Sequence, residues 1–200
     1  MRVSSPDTRQ RLLRAAVKQF VRRGYAAASV QAIVTEAQVT KPALYYHFGS
    51  KTGLYKALME TAQEERLRLM QAAVRPGHTT AQKLEAMLAA LFDYARRHAD
   101  LLRLAFATAF ASREEVPPAA RCTRRGRRNF EFVRDLMAEG QAAGELRRDL
   151  RPEHLALAFY GHLISHLLLH LEAPRSSLSR LTSREVVGLF LEGAAPRLPS

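Results

Sequence analysis

The sequence predicts an all-α chain of about nine helices, and three observations carry that reading. Apolar residues recur at intervals of three and four along successive segments. Those segments are separated by capping Ser or Thr and by Gly and Pro breaks. No strand-like alternation of useful length and no internal repeat occurs. Two hundred residues, 47% of them hydrophobic, are enough for a substantial core in one large or two small domains.

The first helix is expected over residues 8–23. Leu13, Ala16, Val17 and Phe20 share one arc, and Arg11, Arg14, Lys18 and Arg22 the other, with Asp7 or Thr8 available as N-cap. Gly24 is its stop. Ser29 caps a second helix that buries Val30, Ile33, Val34 and Ala37 and ends near Gln38. Thr40 caps a third, with Pro42 in its first turn, where a missing amide hydrogen does little harm. Two short helices joined by a tight turn and packed on a longer one make a helix-turn-helix unit. In the stretch Thr40–Lys51, Leu44 and Phe48 point inward, while Pro42, Ala43, Tyr46 and His47 occupy the opposite arc. So short a helix has to be held by neighbours. Its exposed arc reads either as a recognition surface for a DNA major groove or as a half-buried amphipathic connector.

Gly49 closes the third helix and Ser50 caps a fourth, running through Leu54, Leu58 and Ala62 to about Val74. Arg75-Pro76-Gly77-His78 is a break, and Thr79 with Gln82 has capping-box spacing for a fifth helix over residues 80–98. A sixth spans roughly Leu101–Ala111. After Pro117-Pro118, the Arg121–Arg128 run leads into a seventh, with Phe130, Val133, Leu136 and Met137 as its apolar face, stopping near Gly144. The eighth, Pro152–Leu171, is apolar almost all round and is expected to be buried on two sides. Pro174–Ser179 is a linker, and Thr182 with Glu185 forms a capping box for the ninth.

The formal charge is +12, and its distribution says more than its sum. Residues 1–60 hold ten Lys and Arg against three acids, with no acid between Asp7 and Glu36 or between Glu36 and Glu60. Such a surface suits a polyanion. The single cysteine, Cys122, excludes an internal disulfide and a cysteine-based zinc site, and reads as a surface thiol. No run of eighteen apolar residues occurs, and Ser4-Ser5-Pro6-Asp7 stands where a signal peptide would be apolar, so a cytoplasmic location without membrane contact is expected.

Residues 9–60 resemble the TetR family of bacterial transcriptional regulators. The resemblance rests on Phe20-Val21-Arg22-Arg23-Gly24-Tyr25, the Ser29-Val30 entry to the second helix, and Leu44-Tyr45-Tyr46-His47-Phe48 followed by Ser50-Lys51. Two departures are visible. Gln38 stands where the family usually has Gly in the turn after helix two, at a cost of about 1 kcal/mol if the backbone there needs positive φ. The family's frequent Ile-Ala pair is Ile33-Val34. The resemblance implies a DNA-binding domain over residues 1–50 and a helical effector-binding and dimerisation domain over 51–200, with the helix from Ser50 as connector. It further implies that Thr40, Lys41, Pro42, Ala43 and Tyr46 face bases or groove walls. Tyr45, His47 and Lys51 would meet phosphates, and Ser29 and Gln31 would contribute from helix two. Lys41 is the best candidate for a guanine reader, and Pro42 and Ala43 can touch a thymine methyl.

For the larger domain the resemblance implies a small-molecule pocket among helices five to eight and a homodimer pairing helices eight and nine. Phe92, Phe106, Phe110, Tyr160 and His162 are candidate pocket residues. Gly161 and Ser165, with Val187, Phe190 and Leu191, are candidate dimer contacts. The implied protein is a repressor released from a palindromic operator by an effector, without a cofactor; an activator, or a regulator controlled by a protein partner, is the alternative. His162, His166 and His170 form an i, i+4 ladder that suits either a metal or packing. A metal-dependent enzyme using it is the remote alternative, since no nucleophile with a base, phosphate-cradling glycine loop or paired carboxylate site stands out.

Overall fold

The computed structural model describes residues 6–112, 115–116, 123–173 and 178–194. Among these it has nine helices and no strand: α1 (Pro6–Ala27), α2 (Val30–Glu36), α3 (Lys41–Phe48), α4 (Lys51–Val74), α5 (Thr80–Arg97), α6 (Ala99–Phe110), α7 (Thr123–Ala142), α8 (Pro152–Glu172) and α9 (Arg180–Ala194). The chain packs as two compact units. One comprises Met1–Gln63 and His98–Arg125, the other Glu64–Arg97 and Gly126–Ser200. Cys122 and Arg121 lie outside the described residues, as do the side chains of Arg124 and Arg125.

In the first unit, α1 is the beam on which α2, α3 and α6 rest. Its Leu12, Leu13, Ala16 and Phe20 are buried against Ile33 and Val34 of α2, Leu44 of α3, Leu54, Tyr55 and Leu58 of α4, and Leu104 of α6. The Ile33-Val34 pair is thus accommodated with both side chains buried. Phe20, Tyr25 and Tyr55 form an aromatic cluster, Tyr55 meeting both partners edge-on at 4.8 and 5.0 Å. The Tyr55 hydroxyl is hydrogen-bonded to Thr108, which in turn donates to the Leu104 carbonyl at 2.6 Å. At Gly24 the backbone leaves helical geometry (φ 71, ψ 170), so the expected stop appears as a sharp break inside one nominal helix.

Gln38 has φ 52 and is the only non-glycine residue with positive φ among the described residues. Its side chain is exposed, and its hydrogen bonds are made by the backbone, the carbonyl accepting from Arg11 at 2.9 Å and the N–H donating to the Thr35 carbonyl at 3.1 Å. Gln38→Gly therefore keeps those bonds and relieves the left-handed strain. The expected gain is about 1 kcal/mol, seen as a rise in Tm of about 2–4 °C.

Carboxylates are scarce in this unit and they are used. Glu36 accepts from the Gln19 amide at 2.5 Å and pairs with Lys18 at 3.4 Å. The Gln19 hydrogen bond, and then Lys18, hold its carboxyl below the ordinary glutamate value of 4.5. With the folded value depressed, its contribution is complete above the unfolded value and lost as pH falls through the folded one. Glu36→Gln should flatten the acid limb of Tm against pH below pH 4.5, and an unchanged limb would remove Glu36 from the account.

In the second unit, α9 packs on α5 and α8, and α8 on α5. The expected capping box of α5 is present, with Gln82 N–H donating to Thr79 Oγ1 at 3.2 Å and Thr79 N–H to Gln82 Oε1 at 3.3 Å. That of α9 is not. Ser179 is the cap, its Oγ accepting from Thr182 N–H at 3.0 Å, because the helix starts three residues earlier than the expected cap at Thr182 implies. α8 differs from expectation too. Leu155, Ala156, Phe159 and Leu163 are buried, whereas Leu157, Ile164 and Leu169 are exposed, so the chain itself covers only one of its faces. By length and mean hydropathy (1.2 over its best window) α8 also suffices to cross a membrane, with 28% of that window buried within the chain.

Candidate nucleic-acid interface

α3 is held from below and open above. Leu44 is fully buried, and Phe48 packs against the same core under the guanidinium of Arg9, 5.6 Å from its ring. Thr40, Lys41, Pro42, Tyr45 and Tyr46 are exposed, Tyr46 by 70%, and Ala43 and His47 are half-buried. The His47 ring lies between Tyr46 and Phe48, at 5.3 and 6.1 Å, with its Nε2 buried and without a hydrogen-bond partner. Thr40 has the extended backbone of an N-cap, but its hydroxyl makes no capping bond, contrary to expectation. That leaves the hydroxyl at the mouth of the helix, where the first-turn amides of α3 also point outward.

From α2, Gln31 is exposed with its amide on Thr35 at 3.2 Å. Ser29 is exposed and caps its helix as expected, Oγ accepting from Ala32 N–H at 3.1 Å and leaving its own O–H to donate. Lys51 is placed differently from the phosphate role implied for it. Its Nζ donates to the carbonyls of Tyr25, Ala26 and Ala28 at 3.0, 3.1 and 3.1 Å and sits 4.7 Å from the Tyr25 ring. An ammonium has three protons, and all are spent. Burial pushes its pKa down, while the three carbonyls favour the charged form. Lys51 is thus a clamp that ties the start of α4 to the turn before α2. The Tyr25 hydroxyl, 2.7 Å from Thr52 Oγ1, tightens the same junction.

Several basic residues of α1 are partly neutralised. Arg11 and Arg14 each reach Asp7 at 4.0 Å, and Lys18 is held by Glu36. Lys41 on α3 and Arg22 and Arg23 on α1 are exposed and stand in no ion pair among the described residues, which leaves them to meet a polyanion.

The second-unit candidates are less concentrated. Phe92 is fully buried, 6.0 Å from the His166 ring, and His162 lies 6.3 Å from Phe190. Tyr160 stacks on Phe130 at 5.8 Å. Phe106 and Phe110 belong to the first unit, where they stack on each other at 6.5 Å, with Phe110 77% exposed rather than enclosed. Val187 and Phe190, expected to face a partner, are core residues, because α9 turns Ser183, Val186, Val187 and Phe190 inward together. Its outward arc is Leu181, Arg184, Gly188 and Leu189, with Leu191 half-buried at the side. Gly161 and Ser165 are exposed, on the arc of α8 that carries Leu157 and Ile164. Within the histidine ladder, His166 Nδ1 lies 2.8 Å from the His162 carbonyl. No group of three or more metal-ligating side chains occurs among the described residues.

Two family models match the chain. The model for bacterial regulatory proteins of the tetR family covers residues 12–58, and that for the tetracyclin repressor-like C-terminal domain covers residues 81–186, more than half the chain. The chain belongs to the TetR family. Curated relatives include the HTH-type transcriptional activator FasR of Mycolicibacterium smegmatis, 34% identical over 58% of this chain and 52% of FasR. The repressor SCO4008 of Streptomyces coelicolor is 30% identical over 50% of this chain and 48% of its own. The repressor NicS of Pseudomonas putida is 26% identical over 75% and 71%. The chain therefore spans about half the length of the first two relatives. Among solved structures, FadR of Bacillus halodurans superposes with a TM-score of 0.82 at 17% identity, covering 92% of this chain and 98% of that one. FadR of Bacillus subtilis, solved with stearoyl-CoA, gives 0.79 at 16% identity, with the same coverage. At such identities these two establish the TetR fold alone.

Three features of this TetR-family chain were not legible in its residue pattern: the Lys51 clamp, the Arg9 lid over Phe48, and the exposed stripe of α8. Only the last leaves a signal, since Leu157, Gly161 and Ile164 fall at the four- and three-residue steps that build one helix face.

Proposed function

We propose that this TetR-family protein is a DNA-binding transcriptional regulator, a homodimeric repressor that leaves a palindromic operator when a small molecule binds. The observation that carries this is the open arc of α3, with Thr40, Lys41, Pro42, Tyr45 and Tyr46 exposed over a buried Leu44, in a stretch nearly free of carboxylates. Residues 1–50 read DNA. Residues 51–200 bind the effector and dimerise, with α4 as connector. The protein works in the cytoplasm and needs no catalytic activity. A gel shift on its own upstream DNA at moderate salt should give a sequence-specific complex, and its absence would overturn the reading. Deleting the gene should raise transcription of an adjacent gene. A fall would make the protein an activator, as FasR is named.

Dimerisation is supported by the apolar arc that α8 and α9 leave uncovered: Leu157, Gly161, Ile164, Ser165 and Leu169, with Leu181 and Leu189. A two-fold pair carries two recognition helices, which suits half-sites about 34–36 Å apart or a multiple of this. Ile164→Asp, at a 42% exposed position, should yield folded monomers in sedimentation and abolish tight operator binding. Stearoyl-CoA, bound by the Bacillus subtilis FadR, is a sensible first effector to add to the gel shift. The effector acts only through its different affinities for the two forms of the dimer.

A further inference from the structure

A cleft of about 320 Å³ opens between α1 and the end of α2, within the first unit and lined by no residue of α3. That volume lies at the lower limit of small-ligand sites, about 300–1,000 Å³. Buried Ala15 and Ala37 belong to its lining, and their small side chains leave space that a larger residue would fill. Around them stand Arg11, Arg14 and Lys18 against one carboxylate, Glu36, with Gln38 of the turn. Three cations and one carboxylate leave the lining strongly positive. The neighbouring acids do not exhaust these cations. Glu36 is engaged on both oxygens, by the Gln19 amide at 2.5 Å and by Lys18 at 3.4 Å. Asp7 is shared by Arg11 and Arg14 at 4.0 Å from each, is 64% exposed and lines no part of the cleft. Exposed pairs at such distances contribute little and yield to a better anion.

The backbone amides at this turn are spent, Gln38 N–H on the Thr35 carbonyl at 3.1 Å and Val39 N–H on the Val34 carbonyl at 3.0 Å, so recognition in the cleft falls to side chains. Arg11 is held in place by one donor, its Nη2 on the Gln38 carbonyl at 2.9 Å, and keeps its other N–H groups for a ligand. A planar carboxylate is matched by a single guanidinium fork. Two guanidiniums and an ammonium around one space suit a tetrahedral oxyanion, which offers acceptors on several sides. We propose that this cleft is a phosphate-binding site, in which Arg11, Arg14 and Lys18 hold one phosphate group. The group comes either from the DNA backbone or from a free phosphate ion or ester. Either way, its contact with Arg11 ties α1 to Gln38, the residue of positive φ two positions before Thr40, and so stiffens the turn that aims α3. The inference goes beyond the regulator reading, and only its DNA source rests on that reading.

Two measurements on the full-length protein test the site: Tm against inorganic phosphate at fixed ionic strength, and operator affinity against salt. Each is made on the natural protein, on Arg14→Gln and on Arg14→Gln/Lys18→Gln. Arg14 is 66% exposed and outside the core, so its replacement keeps the fold. A free phosphate ligand raises Tm along a saturating curve that Arg14→Gln abolishes. The general stabilisation of folded proteins by phosphate rises without saturation and survives in the variant. A backbone phosphate instead makes the slope of log K against log salt fall by about 0.9 for each subunit in Arg14→Gln. The double variant then loses no more, because both side chains serve one phosphate. Either result supports the site and names its source. The proposal is overturned when the phosphate effect is absent or survives Arg14→Gln and, at the same time, the slope stays unchanged or falls by a second equal step in the double variant, the mark of two independent surface charges. If the protein binds no operator, the regulator reading fails and the phosphate titration alone decides the site.

Discussion

Tyr46→Ala is expected to leave the subunit folded and to weaken operator binding by two orders of magnitude. Tyr46 is 70% exposed, more than Tyr45, and its ring meets His47 edge-on at 5.3 Å, so its removal takes little from the core. Surface truncations of this kind shift stability by no more than about 0.5 kcal/mol. On DNA the same ring and hydroxyl would be the longest reach of the recognition helix, and a good groove contact is worth about 1–3 kcal/mol. A two-fold dimer loses it twice. Circular-dichroism melting and a gel shift decide the matter together, and unchanged binding beside an intact melt would remove Tyr46 from the interface.

Lys51→Met should do the reverse, costing stability first and DNA affinity second. The substitution keeps the aliphatic stem but strips three hydrogen bonds from the carbonyls of Tyr25, Ala26 and Ala28, together with the contact to the Tyr25 ring. Water can replace part of this at the exposed Ala26 carbonyl and less at the part-buried ones. A loss of about 2 kcal/mol follows, or about 4–8 °C in Tm for a chain of this size. Operator affinity should fall because the clamped turn leads directly into Ser29 and α2. Its dependence on salt should not change, since no phosphate contact is lost. A lysine on phosphate would instead lower the slope of log K against log salt by about 0.9 for each subunit. That slope discriminates a clamp from a contact even if both variants bind poorly.

The helix-turn-helix was legible because each signal in it is local. Leu13, Ala16 and Phe20 share an arc whatever lies opposite, Ser29 caps from three residues away, and Pro42 suits a first turn by its own geometry. The strained turn was legible as well, since Gln38 occupies a position where the family's glycine hinted at positive φ, and its φ is 52. Where a side chain had to choose between solvent, partner and core, pattern was not enough. Val187 and Phe190 share an apolar character with Leu181 and Leu189, and only the pose of α9 on α5 and α8 separates them. Thr182 with Glu185 had the spacing of a cap, but Ser179, three residues before, was in place to do the work.

The sequence by itself determined the all-α fold, the order of its helices, the carboxylate-poor face around α3 and the family. These are set by periodicity, capping and charge, which act within a few residues. The tertiary structure alone decided that Lys51 faces inward and that α8 keeps an open apolar stripe. The Lys51 clamp joins residues 23 to 26 positions apart, and the free energy of such a meeting depends on which surfaces the packed helices bury, a quantity no local pattern holds.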